Sequence, residues 1–144
     1  MTGQRRRRLL PTLAAALALV GGLVGSSTAQ AAPEKAIWGP VQVDGASQFP
    51  VYDDLGVTLF QFHVDWSSVA PTQPANPTDP SDPAYRWPAD LDLAVAEGIR
   101  YGIDVLVLPM RTPSWANGGA ATQTPPTDPQ DYAKFLEALA RRLL

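Results

Sequence analysis

Gly102-Ile103-Asp104-Val105-Leu106-Val107-Leu108-Pro109 is the stretch on which the fold of this chain turns. Val105 to Leu108 are apolar without a break, between a glycine and a proline that stop the run. A strand with one wet face alternates apolar and polar residues, whereas a strand of a parallel sheet covered on both faces does not. Upstream, Val57-Thr58-Leu59-Phe60-Gln61-Phe62-His63-Val64 is apolar at most positions, and Ala36-Ile37-Trp38 is a weaker first strand. Between the two stronger strands, Leu91, Ala94, Val95, Gly98 and Ile99 recur at helical spacing after Pro88. Asp90 and Asp92 suit the positive N-terminal end of that helix, and Gly102 suits the left-handed turn that ends it. Gly98 lies within the apolar stripe, where a missing side chain lets a helix approach a sheet closely. Downstream, Asp128 as N-cap and Pro129 as first helical residue open a helix. Its stripe is Tyr132, Phe135, Leu136, Leu139, Ala140 and Leu143. Gln48 to Leu55 reads as a weak first helix. The resulting order is strand, helix, strand, loop, helix, strand, loop, helix, which specifies an α/β fold with a parallel sheet.

Residues 71–88 contain six prolines and no hydrophobic period. A flexible linker between domains has this composition. The flanking strand and helix belong to one repeating pattern, however, which favours a long strand-to-helix loop. In barrels, functional loops grow at that end of the strands.

The first 31 residues follow a different logic. Arg5 to Arg8 form a basic block, Leu9 to Val24 a weakly apolar run, and Ala29-Gln30-Ala31 a triplet with small residues at its first and third positions. That order describes a secretory signal cleaved after Ala31, leaving 32–144 as the mature domain. The apolar run is Ala- and Gly-rich, broken by Pro11, and short of the roughly 20 strongly apolar residues that span a bilayer. A cleaved signal is therefore favoured over an uncleaved membrane anchor, and no stable anchor is expected. Arg6-Arg7-Arg8-Leu9-Leu10 also fits a twin-arginine signal, so the export machinery is either Sec or Tat. The expected location is extracellular.

Of the 11 basic residues four lie in this signal, whereas all 14 acidic residues lie beyond it. The remaining 7 − 14 gives the mature chain a formal charge of −7. Such a surface argues against nucleic acid, whose phosphates call for Lys and Arg. With no cysteine there are neither disulfides nor thiolate metal sites. One histidine and scattered aspartates make no metal-ligand cluster, and no cofactor is expected.

Three segments carry a family resemblance. Gly56 to Pro71, which includes His63-Val64-Asp65-Trp66 and ends in Ala70-Pro71, resembles the second strand and following loop of clan A glycoside hydrolases. Gly102 to Leu108 followed by Thr112-Pro113-Ser114-Trp115-Ala116 is similar to their third strand and its Pro-x-Trp loop. Pro126 to Phe135 resembles the helix after it. Families 39 (xylosidase-like) and 5 (endoglucanase-like) are the nearest. The resemblance implies a partial TIM (β/α)8 barrel, about the first three βα units, preceded by a signal peptide. It also implies an O-glycosyl hydrolase acting on a polysaccharide or oligosaccharide with retention. Two positions depart from the family pattern. Gln61 stands where an arginine usually points toward the catalytic carboxylates, and Ala70-Pro71 stands for Glu-Pro. Arg111 is placed to replace the lost positive charge.

Retaining glycosidases set two carboxyl groups about 5–5.5 Å apart. In this clan both are glutamates, at the ends of the fourth and seventh strands. The chain holds Glu34, Glu97 and Glu137. The first adjoins the cleavage site, and the other two fall off the apolar stripes of their helices, on the outside. No catalytic residue is therefore assigned, and the chain is expected to stop short of its own active site. The substrate-binding candidates are Trp66, Trp115, Arg111 and His63. The tryptophans are placed either to stack on a sugar or to pack at a barrel rim. His63 is either a ligand contact or a satisfied core histidine, and Asp65 reads as a loop cap. Two rivals to a hydrolase fragment stay open: a non-catalytic exported carbohydrate-binding protein, and an inert truncated product.

Overall fold

The computed structural model describes residues 34–144, so the export signal expected over residues 1–31 lies outside the described residues. The elements run β1 (Ala36–Trp38), β2 (Gln42–Val43), β3 (Ala46–Ser47), α1 (Phe49–Asp54), β4 (Leu59–Asp65) and α2 (Trp66–Val69). Then follow α3 (Ala89–Tyr101), β5 (Asp104–Met110) and α4 (Pro129–Leu143). β1, β4 and β5 form a parallel sheet in that order, with Ile37 beside Phe60 and Phe60 beside Val105. The strand positions expected from the apolar runs are thus occupied by strands.

β4 alternates strictly between buried and half-exposed residues. Phe60, Phe62 and Val64 point to the helix side, where Phe60 meets Phe49 and Tyr52 of α1 at ring separations of 4.9 and 5.5 Å. Leu59, Gln61, His63 and Asp65 point the other way, and the register puts Trp38 of β1 with Leu106 and Leu108 of β5 on that same face. Among the described residues, helices cover one face of the sheet only. On the open face Trp38 is 67% exposed, Leu106 47% and Leu108 37%. An uninterrupted apolar run was the signal for a strand covered on both faces; among the described residues only one face is covered.

α3 is built as its sequence requires. Gly102 takes the left-handed conformation at φ 66° and closes the helix with a bond to the Gly98 carbonyl. A Cβ on Gly98 would sit 2.5 Å from Val105 Cγ2 and 2.7 Å from the Ile103 carbonyl oxygen, so the helix lies on β5 at a distance only glycine permits. Two expectations for α3 need correction. Ile99, assigned to the buried stripe, is 79% exposed. It lies with Val95, Val105, Val107 and Leu143 along a groove of about 380 Å³ beside the outer edge of β5, which pairs with no strand among the described residues. Glu97, assigned to the outside, is buried. Its carboxylate accepts a 2.5 Å hydrogen bond from Ser47 Oγ and faces Arg100 at 3.6 Å.

Ser47 belongs to a small hairpin, β2–β3, that sequence periodicity does not reveal because each strand has two residues. Asp44 and Gly45 form its turn, both at positive φ (51° and 78°), as the two-residue turns that suit a twisted hairpin require. The hairpin is fastened to α3 twice, by Ser47 to Glu97 and by Gln42 Nε2 donating to Asp90.

α4 begins as expected, with the Asp128 carboxylate accepting from the Gln130 N–H. Its buried face is Phe135, Ala138 and Leu139, whereas Leu136 is 38% exposed. Arg142 pairs with Asp92, tying α4 to α3.

Candidate functional site

The C-terminal ends of β1, β4 and β5 share one rim of the sheet, where parallel βα architectures place their chemistry. Trp38 is the last residue of β1. Its indole reaches past its register partner Gln61 and stacks on His63, with ring centroids 5.3 Å apart and planes 21° from parallel. His63, a candidate from the sequence, therefore faces the open side of the sheet rather than the core.

Asp65 ends β4 and N-caps α2, accepting from Ser68 N–H at 3.1 Å and Ser67 Oγ at 2.6 Å. Arg111, just past β5, approaches the other carboxylate oxygen at 3.2 Å. Arg111 adopts φ 62°, a left-handed conformation seldom taken by residues with a side chain. Two contacts hold it there: the guanidinium on Asp65, and the Arg111 carbonyl accepting from Ser67 N–H at 3.1 Å. Sequence spacing identified Arg111 and the capping role of Asp65 but not that the two pair.

Partial burial pushes the Asp65 carboxyl up, but the hydrogen bonds from Ser67 and Ser68, with the Arg111 charge, outweigh it and leave it below its ordinary 3.8. A carboxyl depressed on folding stabilises the native state above its unfolded pKa, and that contribution fades as pH falls through the folded value. The Ser68 amide resonance, which reports the cap, is therefore expected to titrate with a midpoint below 3.8. A midpoint at or above that value would contradict the arrangement. Both partners are substantially solvated, so the Arg111 pair itself contributes under about 1 kcal/mol.

The two tryptophans expected after the strands occupy different places. Trp66 is 2% exposed. It stacks on Phe135 of α4 (5.2 Å, 17°) and meets Trp115 edge-on (5.8 Å, 88°), with Tyr132 beside it at 5.5 Å. That indole is a core side chain, with Phe135 stacked on one face and Trp115 and Tyr132 packed against it. Trp115 is half-buried, and its Nε1–H donates to the Ala70 carbonyl at 2.8 Å. Ala70, which stands where the resembled family carries glutamate, thus serves through its backbone. Trp38 was not among the sequence candidates, because a three-residue strand of weak pattern gave no sign of which face it presents.

The proline-rich segment 71–88 is an ordered loop with its own internal bonds. Asp82 is buried and accepts from Ala84 N–H at 3.0 Å and Asn76 N–H at 2.8 Å, bonds that hold its carboxyl below the ordinary range. Tyr85 donates to the Pro77 carbonyl and Trp87 to that of Pro80. Burial, and then the nearby Asp82 charge, push the Tyr85 phenol up to about 12. Tyr85 and Trp87 both lean on Phe135, so the loop is pinned to α4.

Among the described residues no three His, Cys, Asp or Glu side chains converge as a metal site would need, and no helix is long and apolar enough to cross a membrane. Glu97 and Glu137 lie on α3 and α4, and Glu34 precedes β1.

A parallel sheet with helices on one face, and aromatic and charged groups gathered at the C-terminal strand ends, defines an α/β domain built of βα units. The fold is shared with a solved family 39 glycoside hydrolase from the gut symbiont Bacteroides cellulosilyticus WH2, at a TM-score of 0.54 and 18% identity. The match covers 76% of this chain and 21% of that one, so the chain spans about a fifth of the enzyme it resembles. No family model matches the sequence. No curated protein matches it either.

Proposed function

We propose that residues 32–144 are the opening βα units, about three of eight, of an exported O-glycosyl hydrolase barrel that acts with retention. The observation that supports this reading is the shared fold with a family 39 glycoside hydrolase, combined with a sheet that among the described residues has one open face and no partner on the outer edge of β5. Barrels remove such edges by closing, and their active sites lie at the rim where Trp38, His63, Asp65 and Arg111 gather. In this reading those four residues bind and orient the sugar. The acid/base and nucleophile are two glutamates on strands beyond β5, because the chain's own glutamates sit on helices or before β1.

The export signal is the basic block of Arg5–Arg8 with the run and triplet that follow it, read by Sec or Tat and removed after Ala31. Two observations test the proposal together. The secreted product should begin at Ala32 by mass spectrometry. The reading frame should continue past Leu144, through roughly ten to twenty residues of loop and strand, into an Asn-Glu-Pro segment. An extracellular protein that retains Met1, or a frame without that segment, would overturn the corresponding half of the proposal.

A further inference from the structure

The chain has two asparagines, and their neighbours give them different chemistry. Asn76 precedes Pro77, whose nitrogen carries no hydrogen. Asn117 precedes Gly118, so the backbone N–H beside its side-chain amide is uncrowded. Asparagine is a thermolabile residue, and an exposed Asn-Gly pair is its most reactive setting. The Gly118 nitrogen attacks Asn117 Cγ and gives up its proton. The bond from Cγ to the side-chain nitrogen then breaks, and ammonia leaves with that proton. Water opens the resulting succinimide at either carbonyl, to aspartate or to isoaspartate.

The fold opposes that reaction. Asn117 is 7% exposed, and its Nδ2 donates to the Ala120 carbonyl at 3.2 Å and to the Ala121 carbonyl at 3.0 Å. Both amide hydrogens are therefore engaged, and two carbonyl acceptors fix which end of the amide is nitrogen. Gly118 and Gly119 stand at φ 68° and 81°, in a turn closed by the Ala120 N–H donating to the Asn117 carbonyl at 3.4 Å. Gly119 N–H donates to the Ser114 carbonyl and Thr127 N–H to the Ala116 carbonyl, each at 2.8 Å, which fastens the turn from both sides. All these partners lie between Ser114 and Thr127, so the bonding is independent of any further strand. The leaving nitrogen has to take up a proton and reach water, and here it is buried and held by two carbonyls.

Conversion would undo the bonds that prevent it. Asn117 Oδ1 is buried without a donor among the described residues. In the aspartate product a second oxygen replaces Nδ2 against the Ala120 and Ala121 carbonyls, acceptor against acceptor, with a buried charge added. Isoaspartate instead inserts an extra backbone carbon into the turn. We propose that Asn117-Gly118 is a latent deamidation site, closed while residues 112–127 are packed and opened by local unfolding of that segment. Because the product cannot restore the two bonds, one opening event becomes a permanently loosened loop, and the loop carries Trp115 and its bond to Ala70.

The test uses the chain expressed to the natural stop of its reading frame, beside a synthetic peptide of residues 113–121 as the unrestrained reference. Both are aged in one mildly alkaline buffer, and conversion at Asn117 is read by mass spectrometry with isoaspartate resolved by chromatography. The folded chain is expected to convert at least about tenfold more slowly than the peptide, and at the peptide's rate in urea. Hydrogen exchange of the Thr112 amide, bonded to Thr122, and of the Thr127 amide should show protection that matches this slowing. Asn117→Asp should lose protection at those two amides while the amides of β4 keep theirs. A folded chain that converts as fast as the peptide overturns the inference, as do Thr112 and Thr127 amides without protection. An Asn117→Asp chain whose exchange is unchanged, or lost throughout β4, overturns it as well.

Discussion

Purified alone, residues 32–144 are expected to associate or to unfold without a cooperative transition. Three strands in the order β1-β4-β5 leave the outer edges of β1 and β5 without partners, each a row of backbone donors and acceptors open to another chain. Trp38, Leu106 and Leu108 add apolar surface on the open face, and Ile99 adds more beside the β5 edge. Burying a large apolar side chain is worth about 1.5–3 kcal/mol, and these four forgo much of it, against a typical domain stability of about 5–15 kcal/mol. The ordered 71–88 loop restricts the unfolded chain a little but cannot replace a missing neighbour strand. Sedimentation and urea unfolding followed by near-UV signal should show self-association or a broad, non-cooperative change. A monodisperse monomer with a sharp transition would mean that the described residues form a complete small domain.

The second large effect concerns Trp66. Replacing it with alanine empties a site bounded by Phe135, Trp115 and Tyr132. Truncation of a buried aromatic costs about 3–5 kcal/mol, transfer and cavity terms together. Trp66→Ala should therefore lower Tm sharply or prevent folding, because the side chain joins α2 to α4. A sugar platform would behave otherwise: W66A would keep its Tm and lose binding. That outcome would restore the ligand role read from the sequence.

The contrast between Trp66 and Trp38 shows where sequence alone reached its limit. Local chemistry was legible. Gly98 marked the close approach of α3 to β5, Gly102 its left-handed end, and Asp128-Pro129 the start of α4, each through a constraint carried by one or two residues. The apolar run around Val105 located β5. What could not be read was which face of an element meets what. Trp66 is covered by Phe135, far along the chain, and Trp38 is uncovered because no described residue packs beyond it. Ile99 fits the α3 stripe but projects over the β5 edge, and Glu97 leaves the stripe but is buried by a hairpin serine. The Asp44-Gly45 pair is a turn signal that could have located that hairpin, but it was not read as one, and strands of two residues show no periodicity. At the rim, Arg111 was found by its position just past its strand and His63 by its place near the end of its own, whereas the Asp65–Arg111 pairing depends on strand register.

Hydrolysis of aryl glycosides, assayed in parallel for residues 32–144 and for a polypeptide extended along any reading frame that continues past Leu144, tests most directly the proposal that two carboxylates from strands beyond β5 complete a glycoside hydrolase. Turnover with retained anomeric configuration is expected from the extended polypeptide and none from residues 32–144. Turnover by residues 32–144 after rigorous purification, or none by the extended polypeptide on any glycoside tested, would contradict the proposal.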